Sequence, residues 1–112
     1  MQNLRSKFLA RTRDEVETFR ALISQWQAGA QGTLTEIERL AHRIHGTGAT
    51  LGFDEVSESA AALERTARRL AMSGLASAAA DAFDGLTPRG VRDLQLCTEQ
   101  LGREVESAAS RS

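Results

Sequence analysis

The sequence has no tyrosine, a single proline and a single cysteine in 112 residues. One cysteine cannot close an intramolecular disulfide, which fits a reducing compartment. Charge of one sign is also missing. Fourteen basic against fifteen acidic side chains leave a net charge of -1, so there is no global field to attract nucleic acid. No apolar run approaches membrane-spanning length, and Met1 to Arg20 carry too many charges for the apolar segment of a signal peptide. These absences predict a soluble, cytoplasmic protein with neither a nucleic-acid nor a membrane partner.

Alanine, leucine, glutamate and arginine are abundant, and such a composition suits an all-helical fold. The length suits one domain over 1–112, large enough to bury a core. Leu4, Phe8, Thr12, Val16, Phe19, Ile23 and Trp26 follow three-and-four spacing, which predicts a long first helix ending near Ala28-Gly29. Thr33-Leu34-Thr35-Glu36 has the form of a capping box opening a second helix that runs to about Leu51. Gly52 stops it, and Asp54 is the expected N-cap of a third. Val56, Ala60, Leu63, Ala67 and Leu70 form the third helix's buried stripe, with Gly74 expected to end it. Between Gly74 and Leu86 the chain is alanine-rich, readable as a short helix or a loose connection. Thr87-Pro88 marks the start of a fourth helix carrying Val91, Leu94, Leu101, Val105 and Ala108 inward. Four such stripes predict an antiparallel four-helix bundle.

The most informative stretch runs from Ala41 to Phe53. On a helix turning about 100° per residue, Ile37, Leu40, Ala41, Ile44, Gly48 and Leu51 share one face. His42 then lies roughly 140° from the middle of that face. Gly46 follows one turn later on the same exposed side. A glycine inside a helix costs about 1 kcal/mol relative to alanine, and this helix holds Gly46 and Gly48. An exposed imidazole beside an empty position suits a side chain that another molecule must reach. The bland alternative is a surface histidine of no consequence.

His42-Arg43-Ile44-His45-Gly46-Thr47-Gly48-Ala49-Thr50-Leu51-Gly52 resembles the motif of the histidine phosphotransfer (HPt) domains of two-component phosphorelays. The closing Gly52-Phe53 is similar to the phosphotransfer module of chemotaxis histidine kinases. The resemblance implies an HPt-like bundle in which His42 is the phosphoacceptor. A glutamate on the next helix, here Glu64, would orient its imidazole. It also implies lysine at the position of His45, where histidine would stabilise the phosphoryl group less fully. A neutral imidazole nitrogen suits the acceptor role near pH 7, since its reference pKa is about 6.5. A carboxylate on the far ring nitrogen would fix the tautomer. For Glu64 the plainer reading is a solvated glutamate pairing with Arg68. Arg39, one turn before His42, offers a fixed charge or is simply a solvated arginine. Glu38 would repel a phosphoryl group unless a base such as Arg68 neutralises it.

The partners implied are response-regulator receiver domains and hybrid histidine kinases, with the chain itself a monomer. Docking is expected on the exposed side of helix two, around Arg39, His42, Gly46, Ala49 and Phe53. No cofactor is expected on this chain, and magnesium belongs on the receiver. No glycine-rich phosphate loop is present, so autonomous phosphorylation from ATP is not expected. A different reading is a non-catalytic helical adaptor that binds a receiver or kinase without accepting phosphate. Metal binding by His42, His45, Glu38 and Glu64 is not expected. Carboxylate-bridged dimetal bundles need paired Glu-x-x-His motifs aimed into the core, whereas His42 is expected to point outward.

Overall fold

Each periodic segment of the sequence becomes one helix. The computed structural model describes residues 2–30, 32–76 and 88–111. It contains α1 (Gln2–Gln27), α2 (Thr33–Leu51), α3 (Asp54–Ala76) and α4 (Pro88–Arg111), with no strand among the described residues. Packing joins α1 to α2, α2 to α3, α3 to α4 and α4 back to α1. The four stripes therefore close around a shared core, as antiparallel neighbours joined by short turns do. Phe19, Ile37, Ile44, Leu63, Leu94 and Leu101 are its largest fully buried hydrophobic side chains. Burying each removes roughly 1.5–3 kcal/mol worth of apolar surface from water.

The junction between α2 and α3 sets the geometry of the surface above it. Gly52 takes a left-handed conformation at φ 86°, which glycine enters without a Cβ penalty. The N–H of Phe53 donates to the Gly48 carbonyl at 2.8 Å and that of Gly52 to Ala49 at 3.2 Å, a Schellman closure. Gly48 has a packing role. A Cβ there would stand 3.4 Å from both Phe8 Cζ and Ser57 Cβ, so α1 and α3 both close on α2 at this position. Ser57 uses that proximity, its hydroxyl donating to the His45 carbonyl at 2.8 Å. Arginine–carboxylate pairs clip the helices around the ring: Arg43 to Glu15, Arg20 to Glu99, Arg13 to Glu106, Arg69 to Asp93 and Arg68 to Glu38. Exposed pairs contribute about 0–1 kcal/mol each, so the core holds the bundle and these pairs trim its register.

Several local expectations are corrected. The capping box at Thr33 does not form. Gly32 is the N-cap at φ 79° without a side-chain cap bond, and the Thr33 hydroxyl donates instead to the Ala30 carbonyl at 2.9 Å. Asp54 is the first helical residue rather than a cap before it, and acidic Asp54 and Glu55 occupy the first turn, where the helix dipole favours them. α3 runs past Gly74 to Ala76, because an isolated glycine weakens a helix without ending it. Leu4 is exposed, whereas Leu9 is buried: α1 packs on both α2 and α4, so its buried arc is wider than one stripe. Pro88 opens α4 as expected, while Thr87 and the segment 77–86 lie outside the described residues.

Candidate functional site

α2 presents His42 on its outward side, with 73% of the side chain exposed. The neighbouring α3 brings up Glu64, whose side chain is only 9% exposed. His42 Nδ1 lies 2.7 Å from Glu64 Oε2. Nδ1 is the nitrogen facing a carboxylate, so it is the one that carries the ring proton. Nε2 meets no hydrogen-bond partner among the described residues and opens to solvent. The antiparallel packing of α2 on α3 makes this pair, across 22 positions of sequence.

Glu64 is no ordinary solvated glutamate. Arg68, one turn on, donates to the same Oε2 at 2.9 Å, and His45 Nδ1 stands 3.5 Å from Oε1. Burial pushes the Glu64 carboxyl up, but the hydrogen bond and charge of His42, with His45 and Arg68 adding to them, outweigh it and leave the carboxyl below its ordinary value. It is therefore ionised at neutral pH. Arg68 also donates to Glu38 at 2.8 Å, which offsets the acidic group four residues before His42.

The remaining expected residues divide into two sets. Gly46 and Ala49 are exposed on the His42 side of α2, and nothing lies within 4 Å of where a Cβ on Gly46 would be. His45 stands at the edge, 44% exposed, its ring edge-on to that of His42 with centroids 6.4 Å apart. Arg39 is turned to Glu36 at 3.3 Å and does not join the histidines. Phe53 is corrected from a docking residue to a core residue. It is buried, stacked on Phe8 at 5.5 Å between centroids and covered by the Arg5 guanidinium at 4.6 Å. The surface there is Arg5, not the ring.

One supporting residue was not legible as such. Ser57 reads in sequence as a helix or cap residue, yet its bond to the His45 carbonyl ties the site's two helices together. Arg68, expected to pair with Glu64 and to neutralise Glu38, does both. A small polar residue in the apolar run of α3, opposite a glycine of α2, is the signal for Ser57. A metal site was not expected, because paired motifs aimed into the core are missing. The donor atoms of His42, His45 and Glu64 nevertheless all lie within 4.8 Å of one another.

Cys97 packs against the core with its sulfur 3.5 Å from the Thr66 hydroxyl, as a small packing residue would. No described helix is long and apolar enough to cross a membrane. Comparison with curated proteins and with solved structures returned no match. Comparison with protein-family models returned the Hpt domain, matched over residues 3–109.

Proposed function

The chain belongs to the Hpt domain family, the histidine phosphotransfer modules of two-component systems, and from that premise we propose that His42 is its phosphoacceptor. One observation carries the reading: Nδ1 is held 2.7 Å from a buried carboxylate while the other ring nitrogen opens to solvent. A ring protonated on Nδ1 keeps its lone pair on Nε2. That lone pair attacks the phosphorus of an aspartyl phosphate on a receiver domain. The N–P bond forms as the P–O bond to the aspartate breaks, and the aspartate leaves as a carboxylate. The ring becomes positively charged with its proton still on Nδ1, where ionised Glu64 offsets the charge. Passing the group to a second receiver reverses these steps.

Phosphoryl transfer of this kind relies on positioning and charge stabilisation more than on covalent work by the protein. The magnesium ion belongs to the receiver. On this side, Glu64 orients the imidazole, and His45, its ring 6.4 Å from that of His42, donates to a phosphoryl oxygen when it is in its imidazolium form. The receiver docks over the exposed side of α2, where Gly46 and Ala49 offer the least obstruction and Arg39 flanks the approach.

The test is transfer from a phosphorylated receiver, scored as acid-labile phosphate on the chain. His42→Gln should abolish uptake and leave the helical circular-dichroism signal unchanged. Undiminished labelling of that variant would overturn the assignment. A receiver that binds the wild-type chain without ever passing phosphate would put a non-catalytic adaptor in its place.

A further inference from the structure

Two imidazoles and one carboxylate converge here in a way that phosphotransfer alone does not require. The nitrogens that face inward are both Nδ1, that of His42 at 2.7 Å from Glu64 Oε2 and that of His45 at 3.5 Å from Oε1. With the donor atoms of all three residues within 4.8 Å of one another, we propose that His42, His45 and Glu64 bind a borderline divalent cation, Zn2+ first among them, and that filling this site withdraws His42 from phosphotransfer.

The donor chemistry selects the ion. Imidazole suits zinc, copper and nickel, whereas magnesium and calcium take oxygen ligands. Two histidines and one glutamate are also a known three-ligand set for zinc, with the fourth position left to water. Donors around tetrahedral zinc stand about 3.3 Å apart, given bonds of about 2.0–2.2 Å. To reach that spacing the widest donor pair, within 4.8 Å, must close by up to about 1.5 Å, and both histidines are exposed enough to swing that far. Glu64 has an oxygen to give. Arg68 bonds Oε2, which leaves Oε1, on the His45 side, for the metal. Arg68 is the cation paired with Glu64 among the described residues, and Glu38 offsets it from the other flank.

The consequence for His42 is a matter of proton placement. A neutral imidazole has one proton and one lone pair. When a metal takes the Nδ1 lone pair, the proton must sit on Nε2. That nitrogen then has no lone pair for phosphorus, and Glu64 is no longer free to offset charge on the ring. No redox step is involved: the ring proton moves from Nδ1 to Nε2, and a ring that starts as imidazolium releases its second proton to solvent. This second half rests on the phosphotransfer reading, whereas the metal site itself does not.

Titrating the full chain with ZnCl2, followed by calorimetry and by nitrogen-15 NMR of the imidazoles, tests the site directly. One equivalent should bind, with metal on Nδ1 and the proton on Nε2 of both rings. MgCl2 should give no response. His45→Gln should weaken binding by at least about tenfold, since even outer-shell changes cost that much. Absence of binding, or binding indifferent to His45→Gln, overturns the site. For the switch, transfer from a phosphorylated receiver is compared with and without Zn2+ in each protein. Zinc should suppress wild-type transfer at concentrations that leave His45→Gln little affected, a comparison in which any action on the receiver cancels. Equal sensitivity of the two proteins overturns the switch. A wild-type chain that takes no phosphate even without zinc overturns the phosphotransfer reading, while the titration still decides the site.

Discussion

Gly46 offers a substitution whose effects on stability and on transfer should run in opposite directions. Its backbone is ordinary helix, and beyond its chain neighbours and the adjoining helix backbone no atom lies within 4 Å of an added Cβ. Replacing it therefore removes the helix cost of glycine without creating a clash inside the protein. Gly46→Ala should stabilise the fold by about 0.5–1 kcal/mol. For a domain of this size that corresponds to a rise in melting temperature of about 2–8 °C. Gly46→Leu should gain a similar amount, because leucine is nearly as good a helix former. Its side chain would, however, stand one turn from His42, in the path of a docking receiver. A clash or displacement costing about 1.4 kcal/mol slows transfer tenfold, and a whole isobutyl group should cost at least that. Thermal unfolding by circular dichroism and single-turnover transfer from a phosphorylated receiver measure the two effects. Transfer by Gly46→Leu at the wild-type rate would refute a steric role for Gly46. The packing argument fails if Gly46→Ala is less stable than wild type.

Further outcomes follow from the same geometry. Glu64→Gln should slow transfer in single-turnover assays, because the amide can hold the ring but cannot offset its charge; an unchanged rate would remove Glu64 from the mechanism. The Glu64 carboxyl is held below its ordinary value of 4.5, so the stability it adds is complete above that value and is lost as pH falls through the lower, folded value. Urea unfolding between about pH 3 and 6 should therefore show a shallower acid loss in Glu64→Gln than in wild type. His45→Lys should keep or raise the transfer rate, since lysine brings a full charge to the phosphoryl group at pH 7; a large fall would mean that the imidazole itself is needed. Leu63→Ala, at a fully buried position, should cost about 2–5 kcal/mol in urea unfolding. A loss below about 1 kcal/mol would contradict the packing described around it.

The helices were legible because their apolar stripes repeat at the helical period. Ile37, Ala41, Ile44 and Gly48 on α2 and Val56, Ala60, Leu63, Ala67 and Leu70 on α3 are all buried, and the exposure of His42 follows from the same count. What escaped the sequence depends on contacts between helices or on conformations that two residue types compete for. Thr33 has the right chemistry for a cap, but Gly32 enters the left-handed region and takes the position. Phe53 follows the motif's last glycine and looks available to a partner, yet Phe8, distant in sequence, stacks on it. Gly48 reads as part of an apolar face, and only the structure shows Phe8 and Ser57 both closing on it. Around His42 the participants could be named from the motif. The shared use of one carboxylate by His42, His45 and Arg68 belongs to the packing of α2 on α3, which no single-helix pattern contains.

The central claim concerns one atom. Phosphorylating the chain from a receiver and recording phosphorus-31 and nitrogen-15 NMR on the labelled protein identifies the nitrogen that carries the phosphoryl group. With Glu64 holding Nδ1, the bond should form at Nε2 of His42, and the Nδ1 proton should persist. Phosphorus on Nδ1 of His42, or on either nitrogen of His45, would contradict the account.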